Sequence, residues 1–367
     1  MSNRQAALIA ADANAFAPIL FSSSIEWVID ACAENGISAI CIVADNIPDT
    51  LSLPATANVF TGSDAADDLT NWIESRRGDD ILILDGAMPL VTSSSIADSA
   101  LQCVNGDELS DRIQRSEINV NTASDFLNTL TPNPSGALRT DSSRTRSEIT
   151  AQLRQRILSD LLDSGVQIPC FDGILIGRNV SVGAGTTILP GTILRKNVTI
   201  GKQCTIGPNT LIEDSTIGEA TTLNAVQCYR STIGNHVTVG PFCHIRPNSV
   251  IRDGVHIGDF VEVKNSDIGA DTHISHLTYV GDSDVGERVN FGCGVATANY
   301  DGKKKYRCKI GNHAFIGCNT NLVAPVTIGE NGYTAAGSTI TDDVPDEALA
   351  IARARQQNKL LYNKKIR

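Results

Sequence analysis

The chain has 367 residues, 41% of them hydrophobic, which is enough for two domains with a sizeable core. Aromatics make up only 5% against 30 glycines, a balance that suits thin repeated layers rather than one bulky core. The net charge of −11 argues against a nucleic-acid partner for the whole chain, because phosphate contacts need surplus Lys and Arg. The ten cysteines show no CxxC pair and no zinc spacing. The start, MSNRQAALIAAD, lacks a charged region followed by a long apolar run, and no stretch holds 18 consecutive apolar residues. These features predict a cytoplasmic protein with reduced thiols, mostly small core cysteines, and no membrane insertion.

From Ala6 to about Leu130 the pattern predicts a small α/β domain with a mostly parallel sheet. AALIAA and ISAICIVA read as buried strands. Between them Ile25, Val28, Ile29 and Cys32 fall at helical spacing, with Gly36 as the C-cap. DLTNWIESR reads as a further helix, DDILILDGAMPL as a strand entering a loop, and INVNTASDFLNTL as a helix capped by Thr122 or Ser124. Pro132 to Arg146 has linker composition. A strong helix follows, with Ser147 as its N-cap, Gly165 at its end, and Ile149, Leu153, Ile157, Leu161 and Leu162 on one face.

From Ile176 the period becomes six. Ile176, Val182, Ile188, Leu194, Ile200, Ile206 and Ile212 form an unbroken series. After a phase slip it resumes through Ile233, Val239, Ile245, Ile251, Ile257 and Val263. It continues locally through Ile268, Ile274, Val280, Val285 and Phe291, and returns at Ile310, Ile316, Leu322, Ile328, Thr334 and Ile340. Three hexapeptides make one triangular coil of a parallel β-helix, with the apolar residues turned inward and coils stacked at roughly 4.8 Å. Gly292 to Lys309 leaves the period around an Asp301-Gly302 turn and three lysines, an excursion of the kind that reaches a ligand or a neighbouring subunit. TDDVPDEALAIARARQQN is expected to cap the last coil. The acid-free stretch from Arg353 to Arg367 is a basic tail, either solvated or facing an anionic ligand. The expected domains are 1–131, a linker and connecting helix at 132–170, a β-helix at 171–345 and a tail at 346–367.

The first domain resembles a much shortened nucleotidyltransferase fold of sugar-nucleotide pyrophosphorylases. In that family a Gly-rich loop with Arg and Lys after the first strand holds a triphosphate. Here the matching IAADANAFAPILF has no Gly, Arg or Lys, and Ala87 in DGAMPL stands where the family's metal-binding GDxPL loop has Asp. Without a phosphate cradle or a magnesium ligand, uridylyl transfer is not expected, and the domain reads as a structural or oligomeric platform.

Residues from about Glu148 to Arg353 resemble the linker helix and acetyltransferase domain of the GlmU family. The resemblance is carried by GPFCHIRP, HIGDFVEVKNS, SHLTYVGD, VNFGCGVATANYDGKKK, FIGCNTNLVAPVTIG and AAGSTIT. It implies a left-handed β-helix, a homotrimer with sites between subunits, acetyl-CoA as donor and glucosamine 1-phosphate as acceptor. That places the product among precursors of UDP-N-acetylglucosamine and peptidoglycan. By the same resemblance His276 is the catalytic base, a role its imidazole suits. Arg246, Lys264, Tyr279, Asn290 and Lys305 bind the sugar phosphate, with Lys303 and Lys304 left open as plain surface charge. Cys293, Asn299, Tyr300, Cys318, Ala336 and Arg353 face acetyl-CoA; Cys318 departs from the family's usual Ser. No metal is implied for acetyl transfer. Arg246 and Lys264 lie one coil apart and so are expected to stack on one face. His256, His273 and His276 bear a distant similarity to a trimeric carbonic anhydrase with interface zinc, but the spacing puts His273 and His276 on different faces of a strand or around a corner. Two further readings stay open: acetylation of another amino sugar or sugar nucleotide, and a scaffold without catalysis.

Overall fold

The computed structural model describes residues 5–49, 51, 53–61, 65–89, 102–115 and 138–358. The chain divides into two compact units, Met1–Ile157 and Leu158–Arg367. The helix expected around Thr122 and Ser124, the end of the DGAMPL loop at Leu90 and the basic tail beyond residue 358 lie outside the described residues.

The main elements of the first unit run β1 (Gln5–Ala11), α1 (Ser24–Glu34), β2 (Ala39–Ala44), β3 (Asn58–Thr61), α2 (Ala65–Glu74), β4 (Asp80–Asp85), β5 (Gln102–Asn105) and α3 (Gly106–Gln114); α4 (Ser143–Asp163) starts in this unit and ends in the second. The sheet order is β3-β2-β1-β4-β5. β1, β2, β3 and β4 pair in parallel; β5 is antiparallel to β4. Residues Ala6 to Ala11 are all fully buried, as a central parallel strand covered on both faces requires. Ala7, Ile9, Ile42 and Leu84 pack on α1; Leu8, Val43, Leu69, Trp72, Ile83 and Leu109 pack on the other side with α2 and α3. α1 buries Ile25, Val28, Ile29 and Cys32 as its spacing predicts. Gly36 has φ +72° and passes its N–H to Ala33, while the Ile37 N–H reaches the Cys32 carbonyl. Periodicity did not show β3, an exposed edge strand of four residues, or β5 with α3, whose polar sequence GDELSDRIQ buries little beyond Leu109.

The connecting helix begins one turn earlier than its sequence suggested. Ser142, not Ser147, caps it: its Oγ accepts the Thr145 N–H at 3.1 Å, and Thr145 Oγ1 accepts the Ser142 N–H at 3.1 Å. Helical residues thus replace the last part of the expected linker. Leu158 is buried, whereas Leu162 is exposed, so the inward face is rotated from the one expected. Gly165 ends the helix at φ +88°, with its N–H on Leu162 and the Val166 N–H on Leu161.

The second unit is a parallel β-helix. Among the described residues it has three sheets of ten, ten and nine strands. Sheet I stacks Ile188, Ile206, Leu223, Val239, Ile257, Ile274, Phe291, Ile316 and Thr334. Sheet II stacks Ile176, Leu194, Ile212, Cys228, Ile245, Val263 and Val280, then Leu322 and Ile340. Sheet III stacks Val182, Ile200, Ile217, Ile233, Ile251, Ile268, Val285, Ile310 and Ile328. The phase slip is a shortening of coils: Ile212 to Cys228 is 16 residues and Cys228 to Ile245 is 17, before Ile245 to Val263 restores 18. Ile217, Leu223 and Cys228 therefore continue the core where a strict six-residue count loses it. At the tight corners backbones touch: a methyl group added to Gly183 would lie 2.6 Å from the Gly201 carbonyl carbon, so only glycine fits. The stretch expected as a cap instead prolongs the stack. Val344 pairs with Ile328 and Leu349 with Tyr333.

Six cysteines, at 32, 41, 204, 228, 243 and 308, are buried, while Cys293 and Cys318 are exposed. Burial pushes the Cys32 and Cys228 thiols up to about 12. No helix among the described residues is long and apolar enough to cross a membrane.

Candidate active site

The sequence-predicted residues resolve into two corners of the prism and one point on a face. Counting two residues past each inward residue of sheet I gives Asp259, His276, Cys293, Cys318 and Ala336, one per successive coil. The backbone pairing agrees with this stacking: Asp259 pairs with His276, the Asn319 N–H reaches the Cys293 carbonyl at 2.8 Å, and the Gly337 N–H reaches that of Cys318 at 2.7 Å. The next position is Ala352, followed by an exposed Arg353. The expected base and four of the six expected acetyl-CoA residues thus share one edge, between sheets I and II. His276 Nδ1 lies 2.9 Å from Asp259 Oδ1. That hydrogen bond is the main reason the Asp259 carboxyl is held below the usual carboxylate range.

The cations gather at the opposite edge of sheet II. Arg246 and Lys264 each follow an inward residue by one position, on paired strands, so they stack as their one-coil spacing predicted. Arg246 Nη1 is 2.8 Å from Glu262 Oε1. The Lys264 ammonium is pushed below the ordinary lysine range, first by the close approach of the Lys305 ammonium, then by desolvation; Asp282 opposes this and Arg246 adds the smallest effect. Lys264 and Lys305 are thus close enough to repel, while Arg246, stacked one coil away, is paired with Glu262.

The same edge carries an ordered polar row. Asp282 is buried at 5% exposure and accepts from the side-chain amides of Asn265 and Asn299. Asn299 also reaches Tyr279 Oη at 3.3 Å. Gly281 makes room, since a Cβ there would collide with that hydroxyl. Asn299, expected on the acetyl-CoA side, is thus placed beside Tyr279 and the cations, while Asn290 lies on sheet I between His273 and Phe315.

The excursion from sheet II is a tight hairpin. Tyr300 pairs with Lys305, and Asp301 Oδ1 accepts the N–H groups of Lys303 and Lys304 at 2.8 Å. This fold sets Lys305 against Lys264. Lys304 instead lies 5.0 Å over the Tyr306 ring, and Tyr300 is exposed with its hydroxyl on Gly302. His273 stacks near His256 on sheet I, with centroids 5.8 Å apart, and His276 turns at the corner.

Sequence reading missed Asp259, Glu262 and Asp282. The signal for Asp259 was present: HIGD sits one coil before HISH, and aligning the two places Asp259 over His276.

A family profile, "Bacterial transferase hexapeptide (six repeats)", matches residues 179–214, 230–265 and 307–342. The solenoid carries hexapeptide repeats over those three spans. The bifunctional protein GlmU of Clostridium perfringens is 50% identical over 212 residues, 58% of this chain and 47% of that protein. The GlmU of Caldicellulosiruptor saccharolyticus is 51% identical over 208 residues, 57% of this chain and 45% of its own. The chain therefore spans about half the length of the curated relatives it matches. Among solved structures, the Francisella novicida UDP-N-acetylglucosamine acyltransferase covers 51% of this chain and 67% of its own, at 18% identity and a TM-score of 0.30.

Proposed function

We propose that the chain is an acetyl-CoA-dependent N-acetyltransferase acting on glucosamine 1-phosphate, with no uridylyl transfer by its first unit. The observation that carries the reading is the stacking of Arg246 and Lys264 on paired strands with Lys305 of the hairpin beside them, a set of cations suited to a phosphate group. Asn299, fixed on Asp282, and Tyr279, whose hydroxyl Asn299 reaches, stand beside those cations to hydrogen-bond a sugar.

The chemistry needs little more. The acceptor's neutral 2-amine attacks the thioester carbonyl, His276 takes the proton shed by the amine, the carbon–sulfur bond breaks, and the proton passes from His276 to the departing sulfur so that CoA leaves as its thiol. Cys293, Cys318, Ala336 and Arg353 form a run of positions along which an extended donor can lie. Asn290 sits on a different sheet from Tyr279, and the base and the cations occupy opposite edges of sheet II. This distribution supports a trimer in which neighbouring copies complete each site.

The first unit supports the loss of nucleotide chemistry. In its doubly wound order the ligand crevice lies beyond the carboxyl ends of β1 and β4. There Arg139 pairs with Asp85 and, at 2.6 Å, with Asp12, while fully buried Thr140 hydrogen-bonds Asn14 and Ala87. The chain's own side chains fill the place.

The test is CoA release with acetyl-CoA and glucosamine 1-phosphate, with UTP turnover measured beside it. The parent is expected to release CoA and not to turn over UTP. His276→Ala is expected to slow CoA release by on the order of 10²- to 10⁴-fold. Unchanged release in that variant rejects the assignment, and acceptance of unphosphorylated glucosamine at equal efficiency rejects the sugar phosphate.

A further inference from the structure

We propose that Asp259 is a positioning residue for His276, holding the imidazole by Nδ1 so that Nε2 carries the lone pair that meets the acceptor amine. The inference rests on the reading of His276 as base.

Two independent features carry it. The first is strand register: Asp259 and His276 occupy the same corner position on adjacent paired strands, so the backbone fixes their approach. The second is the contact itself, 2.9 Å between Asp259 Oδ1 and Nδ1. An ionised carboxylate only accepts hydrogen bonds, so Nδ1 must donate and the lone pair falls on Nε2. When Nε2 then gains a proton, the carboxylate faces an imidazolium, and the charge that forms during the reaction is partly cancelled. His256 on sheet I and the Cys293 thiol, one coil on at the same corner, also lie near this ring, and neither is a carboxylate. Asp259 is exposed toward the same edge as Cys293 and Cys318, and it belongs to neither the expected sugar-phosphate set nor the expected donor set.

The experiment compares the parent with Asp259→Asn, Asp259→Ala and Asp259→Glu in the full chain, by steady-state CoA release and by ¹H–¹⁵N spectra of the His276 ring. The parent spectrum is expected to show the Nδ1–H tautomer. Asn and Ala are expected to lower kcat on the order of 10- to 100-fold with both KM values within about two-fold, and Glu to recover part of the loss. In a His276→Ala background, Asp259→Asn is expected to cost nothing more, because the two act as a unit. An Nε2–H tautomer in the parent overturns the proposal, as does a kcat in Asp259→Asn within about two-fold of the parent's. Turnover that survives His276→Ala removes the functional reading itself. Turnover that dies with His276 but ignores Asp259 removes only the positioning role.

Discussion

The two units treat charge in opposite ways. At the ends of β1 and β4, the carboxylates of Asp12 and Asp85 are met by Arg139 from the same unit, and Asp85 is 3% exposed. At the edge of sheet II, Arg246, Lys264 and Lys305 crowd together with Glu262 bound to Arg246 alone and Asp282 engaged by two amides. The first arrangement gathers three carboxylates, Asp141 included, around one guanidinium and so carries a surplus of negative charge. The second has a surplus of positive charge. A site for an anion needs positive charge that its own residues leave over; the proposed sugar-phosphate site has it, and the crevice of the first unit does not.

The contrast is most exposed to Arg139→Ala. Removing the guanidinium leaves a buried carboxylate without compensation, a loss of roughly 3 to 5 kcal/mol. Urea denaturation of the first unit is expected to move to lower concentration while CoA release by the remaining folded protein is unchanged. Equal stability would show that Asp85 is solvated rather than paired. Lys264→Ala is expected to do the reverse. It removes one charge-assisted contact worth roughly 1.5 to 3 kcal/mol to a bound phosphate, so KM for the sugar phosphate rises on the order of 10- to 100-fold. Thermal stability is expected to hold or rise slightly, because a repulsion is relieved. A lowered melting midpoint with an unaltered KM would make Lys264 a structural residue.

Titration sharpens the same point with a smaller effect. Lys264 in the folded protein has a depressed pKa, so its charged form is penalised below that value and the penalty disappears as pH rises through it. Raising the pH toward the ordinary 10.5 is therefore expected to weaken the sugar phosphate by several-fold before an ordinary lysine would titrate, without loss of stability. Discharge only at the ordinary value would show that the three cations stand apart. The smallest effect belongs to Asp259. Its folded pKa is depressed, so its contact with His276 favours the folded state above the ordinary 3.8 and is lost as pH falls further. The side chain is 44% exposed, and Asp259→Asn is expected to shift the acid unfolding midpoint barely, whatever it does to kcat.

The repeat was legible because each inward residue must match its neighbour one coil away, and an ordinary sandwich or helical domain has no reason to hold a six-residue period for so long. Ile217, Leu223 and Cys228 escaped because a corner can lose a residue while the sheets keep their pairing, which a fixed count cannot follow. β5 and α3 escaped because neither needs an apolar stripe to sit at the border of the sheet. Within the site, Arg246 over Lys264 followed from spacing alone. The acids did not, since Asp282 and Glu262 look like ordinary turn and strand polar residues until the coils are laid on each other. Asn299 shows the converse. Its neighbour in sequence, Tyr300, faces solvent, while Asn299 turns to Asp282 and Tyr279 on the coil below.

The hairpin between sheets II and III leaves and rejoins the wall at fixed points: Ala298 pairs with Val323 and Cys308 with Ser283. The rungs on either side do not register how long the detour is. Lys305 can therefore be changed, or the whole detour exchanged for another, while the row proposed to hold an acyl donor stays where it is. On that reading, the one proposed acceptor contact outside the coils is the one a change of detour reaches without disturbing the stack.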